Sequence, residues 1–314
     1  MAVHWLGAVK VLDSHWKETE MTTCDSCNQS KCPAAAPKPG ESDKDFKERQ
    51  KLESRLCRVK RKIVVLSGKG GVGKSTVAVN LAAGLMMAGH PTGLLDVDIH
   101  GPSIPTMLGL EGRTPQGNDE ELIPLEVNGL KVMSAGFFLS SQDDAIIWRG
   151  PMKANAIRQF LQDVAWGDLD YLVVDSPPGT GDEPLSVCQL IKNLDGAVIV
   201  TTPQKVAAVD VRKSITFCRQ LKVPVMGVIE NMNGFACPKC GEVTPILGSG
   251  GGQRMAAEMG VPFLGSIPID PGVALAGDSG QIPVQMDTRG PAALRMGDII
   301  NSLEAMGANK VKAA

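Results

Sequence analysis

An apolar run, Ile63-Val64-Val65-Leu66-Ser67, leads directly into Gly68-Lys69-Gly70-Gly71-Val72-Gly73-Lys74-Ser75-Thr76. The segment fits G-x4-G-K-[ST], with Gly68, Gly73, Lys74 and Ser75 in the fixed positions. A short β-branched run reads as a buried strand, and the following Val77 to Met86 reads as a buried helix. Strand, glycine loop and helix form one unit in which consecutive backbone N–H groups turn inward on phosphate oxygens. The helix N-terminus adds partial positive charge. In that setting Lys74 is expected on the β- and γ-phosphates, Ser75 on a magnesium ion and Thr76 on a further phosphate oxygen. The loop from Gly68 to Thr76, including Gly70, Gly71 and Val72, is expected to cradle ATP.

Gly68-x-Gly70-x-x-Gly73 also matches a dinucleotide fingerprint, with Asp96 and Asp98 downstream. The third glycine, however, is followed at once by Lys-Ser-Thr, which a triphosphate–magnesium site needs and a pyrophosphate turn does not. The triphosphate reading is therefore preferred. Lys69 is the unusual element, because Lys74 already supplies the charge that neutralises the phosphates. The run K-G-G-V-G-K-S-T resembles the deviant phosphate loop of the superclass containing MinD, ParA and the nitrogenase iron protein. That resemblance implies that Lys69 reaches across a dimer interface to the partner's nucleotide and acts as an arginine finger does. The plain alternative is a solvated loop lysine.

The 314 residues suffice for one large α/β core with a small appendage. A net charge of −2 argues against a broad nucleic-acid footprint, and 4% aromatic residues argue against base-stacking platforms. No apolar run reaches the about 18 residues of a membrane span. Met1 to Glu20 lacks the basic–apolar–small pattern of a signal peptide. Eight cysteines in such a chain point to metal or redox chemistry rather than disulfides. The expectation is a cytoplasmic protein without nucleic-acid or membrane partners.

Residues 1–60 read as an N-terminal extension without strand–helix alternation. It holds Cys24, Cys27 and Cys32, a Pro/Ala linker from Pro33 to Gly40, and a polar helix from Lys44 to Leu56. Met21 is an alternative start. From residue 61 to 314 the pattern is β-α repeated, with strands expected at Lys62–Ser67, Pro91–Val97, Leu130–Ser134, Tyr171–Asp175, Ala197–Thr201, Val225–Glu230 and Pro262–Ile267. Helices are expected at Ser75–Ala88, Lys153–Val164, Glu183–Leu194, Ala208–Leu221, Gly251–Met259 and Pro291–Met306. Strands apolar throughout belong in a parallel sheet covered on both faces, so the fold class is a doubly wound, mostly parallel α/β sheet.

In such sheets ligands sit at the carboxyl ends of the strands. Asp96 and Asp98 end one strand, Asp175 ends another, and Glu230-Asn231 ends a third. A carboxylate after apolar strand residues has the Walker B form, so Asp175 is expected to hold magnesium. Asp98 is expected to orient the attacking water, Asp96 to structure its loop, and Asn231 to read the base edge. Strand-end capping is the alternative for each residue taken alone. Of the histidines, His100 lies near this loop and reads as structural.

Cys237-Pro238-Lys239-Cys240 is a C-x2-C knuckle. Two thiolates grip one metal, but a tetrahedral site needs four ligands. Either Cys24 and Cys27 complete it, or a second copy of the chain does. Cys188 and Cys218 lie on apolar helices and read as core residues. The runs D-V-D-I-H-G-P-S, D-S-P-P-G-T-G-D-E, E-N-M-N-G-F-A-C-P-K-C-G and I-P-I-D, in register after the loop, resemble the Mrp/NUBP family of iron–sulfur carrier ATPases over about residues 50–305. The resemblance implies a [4Fe-4S] cluster shared by Cys237 and Cys240 across a homodimer, ATP use, and transfer of clusters to apo iron–sulfur proteins. Cys24-x2-Cys27-x4-Cys32-Pro33 resembles the extra cysteine cluster of the NUBP branch, but a further upstream cysteine is missing and Lys10 stands where it is expected. Two other readings are a positioning ATPase of the MinD/ParA type and a nucleotide-gated zinc scaffold.

Overall fold

The computed structural model describes residues 36–118, 120–139, 150–237, 239–240 and 242–312. The chain runs α1 (Asp43–Cys57), β1 (Val59–Ser67), α2 (Lys74–Met87), β2 (Thr92–Asp96), α3 (Ile104–Met107), β3 (Leu125–Val127), β4 (Leu130–Ser134), α4 (Gly150–Gln162), β5 (Leu169–Asp175) and α5 (Asp182–Leu190). It continues with β6 (Gly196–Thr201), α6 (Lys205–Gln220), β7 (Val225–Glu230), β8 (Phe235–Ala236), β9 (Val243–Thr244), α7 (Gly251–Met259), β10 (Phe263–Ser266), α8 (Pro271–Asp278), α9 (Pro283–Met286) and α10 (Pro291–Lys312).

Eight strands form one sheet in the order β10-β7-β6-β1-β5-β2-β4-β3. Every pairing in it is parallel except β3 with β4. Each of the seven expected strands is present within a few residues of its place. The central β1 carries Ile63, Val64, Val65 and Leu66, all shut off from solvent because helices cover both faces. Helix α2 is apolar all round and buried from Val77 to Leu85. It lies beneath α10, whose Ile300 Cδ1 would come within 2.1 Å of a Cβ on Gly84.

Helix α1 is capped by Ser42, whose side chain accepts from the Asp45 N–H, and it contributes Leu52 and Leu56 to the same core. Short helices α8 and α9 each open with proline in the first turn, where a missing N–H costs nothing. Among the described residues no helix is long and apolar enough to cross a membrane.

Candidate functional site

Parallel pairing brings the carboxyl ends of β1, β2, β5, β6 and β7 to one rim. The phosphate loop leaves β1 there and enters α2. Its first and last glycines are fixed for different reasons. Gly73 caps α2 with a left-handed φ of 79°, and a Cβ there would lie 2.2 Å from Asn231 Nδ2. Gly68 instead meets α6 so closely that a Cβ would lie 2.4 Å from the carbonyl carbon of Asp210.

Lys74 is buried, and its ammonium donates to Asp175 Oδ1 at 2.5 Å and to Ser75 Oγ at 3.2 Å. Asp96 and Asp175 face each other because they are register partners on neighbouring strands. Asp96 accepts from Ser134 Oγ at 2.8 Å and from the Asp98 N–H at 3.0 Å, which holds the turn after β2. Burial, reinforced by the Asp175 charge, pushes the Asp96 carboxyl up to about 8. Burial also raises Asp175, against the opposing pull of Lys74 and Ser75, and the Lys74 ammonium is bonded to Asp175 rather than to Asp96. Asp98 closes its own turn by accepting from the Gly101 N–H at 3.3 Å. Lys69 is half-buried at the loop's mouth, and among the described residues its ammonium makes no ion pair.

Asp175 Oδ2 and Ser176 Oγ are buried without a hydrogen-bond partner. A polar atom in that state is costly unless a ligand satisfies it. With the Ser75 hydroxyl beside it, the hard-oxygen donor set fits a magnesium ion accompanying phosphates.

Asn231 Nδ2 donates to the Val72 carbonyl at 3.0 Å, so the side chain expected to read a base also braces the phosphate loop. Beside it opens a cavity of about 710 Å³ reaching from Gly73 and Thr76 past Met232 to Pro268 and Asp270. Its walls are mainly apolar, as suits a planar ring. Sequence reasoning left Ile267–Asp270 without a role, yet this run forms the cavity's flank. A second constellation went unread: Lys153 Nζ meets His100 Nε2 at 2.5 Å and Glu183 Oε1 at 2.6 Å.

Cys237 and Cys240 sit on the turn of the β8–β9 hairpin, which Cys237 N–H closes by donating to the Glu242 carbonyl at 2.9 Å. Cys240 is exposed and Cys237 half-exposed. The hairpin springs from the end of β7 that braces the loop: Asn231 holds Val72 while its neighbour Glu230 accepts from the Gly250 and Gly252 N–H groups of α7. The backbone amides of Cys240 and Lys239 hold the Cys237 thiol below its ordinary range. Burial pushes Cys188, half-buried against the core, up to about 11 and Cys218, within the core, up to about 12. A depressed thiol holds more thiolate at neutral pH, and the thiolate is the nucleophile. Limiting iodoacetamide at pH 7 should therefore label Cys237 well ahead of Cys188 and Cys218, as read by peptide mass spectrometry. Equal labelling would refute that ranking. Cys24, Cys27 and Cys32 lie outside the described residues.

A doubly wound parallel sheet, a phosphate loop with two lysines, and carboxylates at the neighbouring strand ends define a nucleotide-binding phosphate-loop protein of the MinD/ParA type. The ParA model, described as NUBPL iron-transfer P-loop NTPase, matches residues 58–304. The chain belongs to that family of iron-transfer NTPases. It is 48% identical over 268 residues to an iron-sulfur cluster carrier protein of Methanocaldococcus jannaschii, covering 85% of this chain and 90% of that one. It is 53% identical over 228 residues to a cytosolic Fe-S cluster assembly factor NUBP2 homolog of Culex quinquefasciatus, covering 71% and 89%. Among solved structures it resembles a nucleotide-binding protein of Archaeoglobus fulgidus in complex with ADP, with a TM-score of 0.68, 42% identity, and 78% and 95% coverage. The Pyrococcus furiosus MinD cell division ATPase shares the fold, with a TM-score of 0.59 at 21% identity, covering 79% of this chain and 100% of that one.

Proposed function

We propose that the chain is an ATP-hydrolysing iron–sulfur carrier that holds a [4Fe-4S] cluster between the Cys237/Cys240 turns of two copies and delivers it to apo iron–sulfur proteins. The observation that carries this reading is the exposed turn with its depressed Cys237 thiol, rooted on the strand end that braces the phosphate loop. A thiolate pair at the surface suits a cargo that must arrive and leave. A tie to Val72 gives nucleotide occupancy a physical path to the turn. One relative named an iron-sulfur cluster carrier protein and another named a cytosolic Fe-S cluster assembly factor support the cargo and a cytoplasmic setting.

At the loop, Lys74 engages the β- and γ-phosphates, and the amides from Gly68 to Gly73 cradle them. Ser75 and Asp175 would hold magnesium, which would supply positive charge to the triphosphate oxygens. Asp98 orients the attacking water, and Lys69 of one copy supplies charge to the nucleotide of the other. The cavity beside Asn231 and Met232 receives the base. Cys24, Cys27 and Cys32 bind a second metal or cluster.

Anaerobic purification tests the reading. The expected product is brown, absorbs broadly near the visible range typical of cluster thiolates, and contains iron with acid-labile sulfide. A colourless protein with one firmly held zinc per chain, refractory to cluster reconstitution, would overturn it in favour of a zinc scaffold.

A further inference from the structure

Two loops stand beside the phosphate loop, on the side where the function proposed above puts the terminal phosphate. One is the Asp98 turn, closed by its own carboxylate on the Gly101 N–H at 3.3 Å. The other follows Asp175 and runs into α5. Its middle is fixed where the Gly179 N–H donates to the Ser67 carbonyl at 2.8 Å, at the root of the phosphate loop. At their roots the two loops are joined by the backbone, where the Val97 N–H donates to the Asp175 carbonyl at 3.0 Å, but farther out the Asp98 turn is closed on its own carboxylate. One side chain from a third element touches both.

That side chain is Lys153, in the first turn of α4. Its ammonium donates to His100 Nε2 at 2.5 Å, inside the Asp98 turn, and to Glu183 Oε1 at 2.6 Å, in the first turn of α5. Lys153 and Glu183 are 15% and 11% exposed while His100 is 54% exposed, so the bond to Glu183 is sheltered and the bond to His100 lies at the surface. Lysine has three donors and no acceptor, so the contact with His100 uses the imidazole nitrogen as acceptor. Burial works to raise the Glu183 carboxyl, but the Lys153 ammonium together with Glu183's own backbone N–H leaves it below its ordinary range. Helix α4 is seated against the same turn: a Cβ on Gly150 would lie 2.8 Å from Asp182 Oδ2.

We propose that Lys153 is a positioning residue: it straps the Asp98 turn to the start of α5, setting the distance between the water-orienting carboxylate and the magnesium-side loop. The inference rests on the hydrolytic role given to Asp98 above. Lys153 does not line the cavity and its hydrogen bonds go to His100 and Glu183, so its removal should change the geometry of the reacting atoms more than the affinity for nucleotide.

His100→Ala is the clean test, because an exposed side chain is lost and no buried charge is stranded. Lys153→Met combined with Glu183→Gln cuts the same strap at near-constant volume and also leaves no orphaned charge, whereas Lys153→Met alone strands Glu183. In steady-state Mg–ATP hydrolysis both variants should lose about tenfold or more in kcat, as small misplacements of reacting groups do, with KM within about twofold. Lys153→Arg, which keeps the donor to Glu183, should recover part of the loss. Hydrogen exchange of nucleotide-free protein gives a readout independent of turnover: the peptides spanning Gly101 and Gly179 should both exchange faster in the variants. A hydrolysing parent whose variants keep kcat within about twofold, or unchanged exchange at both peptides, overturns the proposal. A parent that binds ATP and does not hydrolyse it refutes instead the role of Asp98, and the positioning of Asp98 for hydrolysis falls with it.

Discussion

Lys74→Ala is expected to abolish ATP binding and, in the nucleotide-free protein, to lower stability as well. The Lys74 ammonium is the buried positive charge of the loop, Lys69 lying at its mouth, and charge-assisted contacts to phosphate are the strong ones. The same ammonium lies 2.5 Å from Asp175, which is fully buried next to Asp96. Removing one member of a buried pair leaves an uncompensated charge and costs about 3–5 kcal/mol. Asp175 is already raised by burial, and without Lys74 it rises further. A carboxyl with a raised folded-state pKa is most stabilising below its unfolded value and loses that contribution as pH climbs through the folded value. The difference in Tm between parent and variant should therefore be smallest in acid and widen as pH rises. Lys74→Ala with Asp175→Asn should recover stability and still not bind ATP, which separates the two effects. Titration calorimetry and thermal unfolding across pH check both. A variant binding ATP as tightly as the parent would show that the loop is not the triphosphate site. Lys69→Ala, by contrast, should keep binding and lose turnover, because Lys69 is not tied into this pair.

The parallel strands were legible because a strand covered on both faces must be apolar there, and Ile63–Leu66 of β1, Tyr171–Val174 of β5 and β6 read that way. The edge strand β3 was not, since Leu125-Glu126-Val127 is three residues long and only half covered. Helices α8 and α9, which start at Pro271 and Pro283, lie outside the helices expected from the pattern. Asp270 followed by proline is nevertheless a helix-start signal, and Asp270 does accept from the Gly272 N–H at 2.9 Å. The phosphate loop is contiguous, so its chemistry is written in consecutive residues. The remaining site depends on register and tertiary contact: Asp96 opposite Asp175, Asn231 on Val72, Lys153 between His100 and Glu183. No spacing along the chain encodes those meetings. Asn231 shows the difference, for its strand-end place was readable and its bond to the loop was not.

Cys237→Ala and Cys240→Ala should each lose the cluster and the power to activate an apo-protein while retaining ATP binding. A [4Fe-4S] cluster takes one protein thiolate per iron, so two cysteines per chain require two chains. Two-fold symmetry brings the same pair from each copy to a common axis. Deleting one thiol per chain therefore removes two of four ligands at once, and the loss should be nearly complete rather than half. Both variants should fold normally, because the hairpin turn lies at the surface and Cys240 is exposed. ATP binding should survive because the brace from Asn231 to Val72 belongs to the end of β7 and needs neither thiol. Iron and sulfide per chain, visible absorption, and activation of an apo iron–sulfur enzyme provide the readouts, with nucleotide affinity as the control. The two substitutions need not be equal in kinetics: Cys237, whose thiol is held low by the amides of Cys240 and Lys239, should capture metal first, so Cys240→Ala should retain a weak, transient iron signal that Cys237→Ala lacks. Transfer at the parental rate by either variant would sink the carrier reading of this turn, since no other arrangement of two cysteines per chain would then be carrying the cargo there.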